Sequence, residues 1–493
     1  MSYSDLLDEI KKNNITIDEN RLKQVYDFAA AAHAGQVRDT GDATITHPLS
    51  VAKVLATWHQ PQPVLEAALL HDVVEDTDHS LAEIASLFGD EVAFLVDGVT
   101  VVGKVKLRGS TDTVFVENLR KMFVAMARDI RVILIRLADR FHNMQTLDAV
   151  PLSKQQRIAK ETIEVYAPLA ERLGMGQLKG DLEDLAFPFL YPTEHQWLMK
   201  EAKTRIRAAE KTTTKAIQSI KELFTANEIN AEIHGRHKRN YSLYKKLNRP
   251  GIDGDWSKIH DLVALRIITT TKRDCYAALG LVHGLWQPAP TLGISDFIAQ
   301  PKPNGYQSIH TKVFDHKGNI IEIQIRTRER HEQAEYGAAA HTLYAQAKAQ
   351  GASDEKLEGG VAFRVQEKMD WIKELANWQK ETGSNEDYVS SLKLDALSER
   401  IYVFSPHGDV YDLPQGATPV DFAFAVHSDL GLHIQGAKVN QKIVSLNYQL
   451  KSGDLVEIIK SKAKHLPNRD WLQFVKTSKA RSKITKLNRL DVK

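Results

Sequence analysis

His71 and Asp72 stand side by side at the end of an apolar run within Pro63–Thr77, and Glu75 and Asp76 follow one helical turn later. At 3.6 residues per turn these four ionisable groups share one side of the chain. Carboxylates packed together repel, and burial penalises each charge, so such a cluster is costly unless a cation sits among it. A divalent metal resolves that conflict. His47, in Ile45-Thr46-His47-Pro48, and Asp139, in Leu137-Ala138-Asp139-Arg140, could complete a mixed nitrogen and oxygen ligand set. Such donors suit manganese or iron as well as zinc.

Further along, Gly235-Arg236-His237-Lys238 and then Lys245 and Lys246 offer cations for a triphosphate, and arginine can also stack on a base. A solvated basic surface is the plain alternative. Asp261 precedes a β-branched run and Glu322 lies in a later one, so one sheet would bring the two together, as carboxylates commonly hold Mg near phosphates.

Both groups need elements to carry them. From Leu22 to about Leu190 the apolar spacing is helical, as in Leu22, Val25, Tyr26, Ala29 and Ala32, and predicts an all-α first domain. A long amphipathic helix continues over 197–225, after which β-branched runs such as Ala264–Thr270 open an α/β domain. Thr311–Thr327 reads as a hairpin turning at 315–319, with Ile321, Ile323 and Ile325 on one face and Glu322, Gln324 and Arg326 on the other. Stretches 351–360 and 381–387 read as linkers flanking a helix with Trp371 and Trp378. From Arg400 to Ser461, short strands and a helix opened by Thr418-Pro419 make a small α+β module. The expected divisions are 1–195, 196–345, a helical linker at 346–398, a module at 399–462 and a basic tail at 463–493.

At 493 residues the chain has room for about three domains. With 43% hydrophobic and 26% charged residues it is an ordinary globular composition, which argues against wholesale disorder and against a membrane protein. No run approaches 18 apolar residues, and the N-terminus lacks a basic start followed by an apolar stretch, so a cytoplasmic address with no membrane partner is expected. Cys275 is the single cysteine, which excludes an internal disulfide and any multi-cysteine zinc site; a metal must be held by His and carboxylates. The net charge of +2 hides an asymmetry, because Lys460–Lys493 carries 11 Lys or Arg against two Asp. That segment is a candidate RNA contact, or else a solvated terminal helix.

The segments HAGQVR, ITHP, HDVVEDT and RLADRFHNMQTL, in this order, resemble the HD phosphohydrolase domain of the RelA/SpoT family. The resemblance implies that His47, His71, Asp72 and Asp139 bind Mn2+, that Glu75 and Asp76 handle water and protons, and that Arg38, Asn143 and Thr146 contact the nucleotide. The implied reaction releases pyrophosphate from the 3′ position of (p)ppGpp. Asp39 departs from the family, which usually has a basic or small residue after the arginine.

The segments EIHGRHKRNYSLYKK, IHDLVALRIIT, FIAQPKPNGYQSIHTKV and IEIQIRTRERHEQAEYGAAAH look like the blocks of the same family's nucleotidyltransferase-like synthetase domain. That domain transfers the β,γ-pyrophosphate of ATP to the 3′-hydroxyl of GDP or GTP. By resemblance Arg236 and Arg266 hold adenine, and Lys238, Lys246 and Lys302 hold phosphates. Asp261 and Glu322 bind Mg2+, with Glu322 also activating the acceptor hydroxyl. The acceptor guanine stacks on Tyr306, beside Asn304, Gln307 and His310. The loop before Phe297 reads Gly293-Ile294-Ser295-Asp296, without two charges the family carries there, which leaves the choice of GDP or GTP open and weakens the expectation of synthesis.

The stretches RIYVFSPHGDVYDLP and LKSGDLVEIIKSK look like a TGS domain, a small β-grasp module that in the family contacts uncharged tRNA on the ribosome, with His427 at the matching position. Long family members continue past the basic segment, so either a naturally short form or a truncated chain, ending after the TGS domain, is expected. The fold expected is multidomain, α and α+β, and the function a bifunctional alarmone synthetase and hydrolase. A hydrolase with a weak synthetase, a catalytically silent tRNA- or ribosome-binding regulator and a generic HD nucleotidase remain as alternatives.

Overall fold

A computed structural model describes residues 1–100, 121–259, 261–290, 293–302, 305–339, 400–461 and 466–490. The expected linker helix with Trp371 and Trp378 lies outside these residues, as does Asn304. The chain forms two compact units, Met1–Ala376 and Asn377–Lys493.

The first unit begins with helices. Gln62–Leu70 is apolar on every side and Val64 through Leu70 are all buried, so it is a central helix rather than a surface one. Its one carboxylate, Glu66, is fully buried and takes two hydrogen bonds from Arg21, at 2.8 and 2.9 Å. Thr46–Thr57 and Arg131–Gln145 are among the helices that pack around that core. In the latter Val132, Ile133, Ile135, Leu137 and Ala138 are buried, while Arg136, Asp139, Arg140 and Asn143 repeat at helical spacing along one face. The helical pattern closes with Gly176–Leu190 and the 35-residue helix Pro192–Ala226, about 50 Å long.

The long helix leads into a mixed sheet of β1 (Ala231–His237), β2 (Val263–Thr269), β3 (Gln287–Pro288), β4 (Ser295–Asp296), β5 (Ile309–Phe314) and β6 (Ile320–Thr327). The order is β1-β2-β6-β5-β3, with β4 also on β5; β2 and β6 run parallel, and the other pairings are antiparallel. The β5–β6 hairpin has the turn read from the sequence, and Ile321, Ile323 and Ile325 enter one core with Ile233, Leu265, Ile267 and Phe224. On its opposite, polar face Gln324 is 6% exposed and Arg326 1%. Arg326 is paired there with His331 and Glu335, from the helix Arg328–Tyr336 that follows β6.

After that helix Gly337 adopts φ +51, and a Cβ there would stand 2.3 Å from the carbonyl oxygen of Leu173 in the helical domain. Only glycine permits this backbone-on-backbone seat. Close by, the buried Gln60 donates to the Ala339 carbonyl at 3.0 Å.

The second unit holds a hairpin of β7 (Arg400–Phe404) and β8 (Val410–Pro414), and a sheet ordered β10-β9-β11 from β9 (Ile434–Val439), β10 (Lys442–Val444) and β11 (Val456–Lys460). The helix Pro419–Val426 is capped by Thr418 and Asp421 in a capping box. The basic segment, expected as a tail, is built into this unit over the described residues. Val475, Ala480 and Ile484 pack with Val420, Ala423 and Phe424, and Asp421 accepts from the Lys476 and Thr477 backbone and the Thr477 hydroxyl at 2.7–2.9 Å. The charge count concealed an apolar seam at helical spacing. Among the described residues no helix is long and apolar enough to cross a membrane.

Candidate active sites

Three helices deliver the first cluster. His47 comes from the first turn of Thr46–Thr57, His71 and Asp72 from the break after Gln62–Leu70, and Asp139 from the polar face of Arg131–Gln145. His47 Nε2 lies 3.2 Å from Asp139 Oδ1 and 3.6 Å from Asp72 Oδ2. His71 Nε2 lies 3.1 Å from Asp72 Oδ1 and 4.0 Å from Asp139 Oδ1. Ligand atoms of His47, His71 and Asp139 are all within 4.8 Å of one another. Among the described residues no other group of three meets that geometry.

The electrostatics fit a cation. His71 is 2% exposed, its Nδ1 sits 2.8 Å from the Ala68 carbonyl, and its buried Nε2 makes no hydrogen bond although it faces two carboxylates. Burial disfavours a charged imidazole, yet Asp72 and Asp139 outweigh it and raise the His71 pKa. Burial likewise works against the Asp139 carboxylate, but the hydrogen bond and charge of His47, with His71 and Arg136, hold it well below the usual range. A cation among these atoms would supply the positive charge that the imidazoles otherwise provide, through a nitrogen and oxygen donor set.

Around the cluster opens a cleft of about 680 Å3 that Glu75, Asp76, Arg38, Asn143 and Thr146 also line, together with Asp39. All the residues expected at the first site therefore line this cleft, except His71, which is buried. Asn143 bridges the site, accepting from Arg38 at 3.1 Å and donating to Asp139 at 2.5 Å. Two residues were missed. Arg136 lines the cleft 3.5 Å from Asp139, and His142 meets His47 at 2.8 Å. Both lie three residues from Asp139, a helical spacing that could have exposed them.

The second cleft, about 300 Å3, brings together Arg236, Arg266, Lys302, Tyr306 and His310, and adds Arg326, Gln324 and Glu335. Glu171, Lys179 and Glu183 of the helical domain form part of its wall. Arg266 and Arg326 converge on Glu335 at 3.1 and 2.8 Å, while Arg236 donates to Gln324 at 3.2 Å. Burial and the neighbouring Arg326 push the Arg266 guanidinium down to about 10, and the buried Nε atoms of Arg266 and Arg326 lack partners. Such crowded cations suit an anion. Lys302 lies 4.5 Å above the Phe297 ring and 5.3 Å above Tyr306, and Tyr306 Oη is 2.8 Å from His310 Nε2.

Other expected residues lie outside the lining of this cleft. Lys238 and Lys246 both bind Asp261, at 2.6 and 2.8 Å, and although burial opposes its charge they bring its pKa down to about 2. Glu322 lies on β6, but Asp261 stands outside the sheet: it precedes β2, three residues short of Ala264, whose neighbour Leu265 pairs with Ile323. Glu322 accepts from Gln324 at 3.1 Å. Gln307 is buried and turned toward Arg330, which donates to it at 3.0 Å. In the altered loop Asp296 is engaged by the Tyr276 hydroxyl and the Ile298 and Ala299 amides at 2.9–3.0 Å. In the second unit His427 is exposed, at the corner between two helices rather than on a helix face, and its Nδ1 accepts from Asp429 N at 3.2 Å.

Family models match three stretches: an HD domain over residues 26–176, a region found in RelA / SpoT proteins over 235–349, and a TGS domain over 401–460. A GTP pyrophosphokinase of Myxococcus xanthus is 44% identical over 95% of this chain and 60% of its own length. The bifunctional (p)ppGpp synthase/hydrolase RelA of Mycobacterium tuberculosis is 44% identical over 95% and 62%. A guanosine-3′,5′-bis(diphosphate) 3′-pyrophosphohydrolase of Aquifex aeolicus is 42% identical over 94% and 64%. The chain thus spans 60–64% of the length of these relatives.

Proposed function

We propose, from the premise that the chain belongs to the RelA/SpoT family, that it is a bifunctional alarmone enzyme acting in the stringent response. Its helical domain hydrolyses (p)ppGpp to GDP or GTP and pyrophosphate. Its α/β domain makes (p)ppGpp by transferring pyrophosphate from ATP to the 3′-hydroxyl of GDP or GTP. The observation that carries the hydrolase is the meeting of His47, His71, Asp72 and Asp139 around a buried, unbonded His71 Nε2.

Those four side chains would hold the metal, manganese in our assignment. A divalent cation bound there would supply a water of lowered pKa and polarise a phosphoryl oxygen. Glu75 and Asp76 would take the proton from the water and return it to the leaving group. Arg38, Asn143 and Thr146 would hold the nucleotide, Arg38 being tied through Asn143 to Asp139. In the second cleft Arg236 and Arg266 would take adenine, Lys302 the phosphates, and Tyr306 with His310 the acceptor guanosine; Lys238 and Lys246, outside that lining on Asp261, would add to the phosphate contacts, and Asn304 to those of the guanosine. Asp261 and Glu322 would hold Mg2+, which neutralises charge on the transferring phosphates. The second unit, through His427 and the basic helix Ser478–Leu490, would contact uncharged tRNA and the ribosome. The divisions at 195, 345 and 398 and a cytoplasmic site of action belong to the same proposal.

The test is release of pyrophosphate from labelled ppGpp by the full chain. Activity is expected with Mn2+, to be lost with EDTA and in Asp72→Ala; release that ignores all three would refute the assignment. Cleavage of ordinary nucleotides at the same rate would favour a generic nucleotidase. A hydrolase with a weak synthetase is a second reading, favoured by the capture of Asp261 by two lysines and by the uncharged Gly293 and Ser295.

A further inference from the structure

His142 lies three residues beyond Asp139, and its Nδ1 stands 2.8 Å from Nδ1 of His47. The two ring centroids are 4.9 Å apart, with the planes inclined at 39°. Imidazole nitrogens at that distance share one proton, so one ring donates and the other accepts. The opposite nitrogen of His47, Nε2, faces Asp139 and Asp72 at 3.2 and 3.6 Å. A histidine that ligates through Nε2 carries its proton on Nδ1, and a partner for that proton fixes both tautomer and ring orientation.

His71 meets the same requirement through the backbone. Its Nδ1 is 2.8 Å from the carbonyl of Ala68, three residues back, and its Nε2 is left toward the carboxylates. At His47 the carbonyl three residues back, on Thr44, already accepts the backbone N–H of His47 at 3.0 Å. The His47 ring turns to His142 instead, and the two imidazoles arrive at Asp139 by the same nitrogen.

Given the metal-hydrolase assignment above, on which this step rests, we infer that His142 is a positioning residue that accepts the Nδ1 proton of His47 and directs His47 Nε2 at the metal. His142 is not itself a ligand, because its Nδ1 is turned to His47, and it stands outside the group whose ligand atoms converge. Its place on the same helix as Asp139 makes that helix both a donor of one ligand and the brace of another.

The experiment is calorimetric titration of the full chain with Mn2+ alone, without nucleotide, which reads the site independently of turnover. His142→Ala and His142→Leu remove the acceptor, the second while refilling the space of the ring, and both are expected to weaken Mn2+ binding about 10- to 100-fold. His142→Asn places a carbonyl oxygen near the position of Nδ1 and is expected to stay within about threefold of wild type. Asp139→Ala, the ligand control, should abolish binding. Wild-type affinity in both His142→Ala and His142→Leu would overturn the role of His142, as would an equal loss in His142→Asn, which would mark the ring as mere packing. Absence of Mn2+ binding by the wild-type chain would overturn the metal assignment as well, so the two failures are distinguishable.

Discussion

Glu335 is the carboxylate on which Arg266 and Arg326 converge, and the Arg326 side chain is 1% exposed. Taking away one partner of a buried ion pair leaves an uncompensated charge, which is far costlier than replacing the whole pair. Glu335→Gln should therefore lower unfolding stability by about 3 kcal/mol in urea titrations; a change below about 1 kcal/mol would mean that the arginines are neutralised by other groups. His310 sits beside the same cations. Burial, then Lys302 and Arg326, push its pKa down to about 3, so it stays neutral when folded. An unfolded histidine takes up its proton near pH 6.5, so below that point the unfolded chain binds more protons than the folded one. Stability should fall as the pH drops from about 6.5 toward 3, and His310→Asn should flatten that fall in thermal melts. An unchanged slope would exclude His310 as a source of acid sensitivity.

Among the elements, Gly337 is a stringent local constraint. Its positive φ and the 2.3 Å approach to the Leu173 carbonyl leave no room for a side chain. Gly337→Ala should destabilise the first unit by more than about 1 kcal/mol and raise protease sensitivity near the end of the helix Arg328–Tyr336; wild-type melting would show that the seat shifts freely. This seat was not legible in the sequence, since a glycine's φ depends on what the backbone lies against. The helices and the hairpin were legible, because apolar spacing in Leu22, Val25 and Ala29 or in Ile321, Ile323 and Ile325 records burial directly. Alternation along β6 marked Gln324 and Arg326 as polar, but it could not reveal that a later helix pairs with Arg326 or that Arg236 of β1 meets Gln324. The docking of Ile484 was hidden for a similar reason: eleven cations in Lys460–Lys493 dominate the composition, while the seam depends on the facing Phe424. Ligand-type residues of the first site stood out by type and spacing; His142 shares a helical spacing with Asp139, but its partner is a ring 95 positions earlier, which the sequence does not show.

Across the whole molecule, the unit Met1–Ala376 holds both clefts, and the second borrows part of its wall from the helical domain. Opposed reactions in one chain would cancel unless something biases them, and the proposed function requires that one polypeptide can perform each. Metal binding to the folded state alone also adds stability: at about 100 times the dissociation constant, Mn2+ should add about 2.7 kcal/mol, seen as a higher melting temperature that EDTA and Asp139→Ala remove. No metal-dependent shift would count against the first site. The most direct measurement takes the Asp72→Ala chain, in which hydrolysis is expected to be lost, and follows γ-labelled ATP with GDP or GTP and Mg2+. Label accumulating in a guanosine 3′-pyrophosphate, and disappearing when wild-type chain and Mn2+ are added, is the expected result. No labelled product with either acceptor, even with ribosomes and uncharged tRNA present, would contradict the bifunctional account and leave the hydrolase alone.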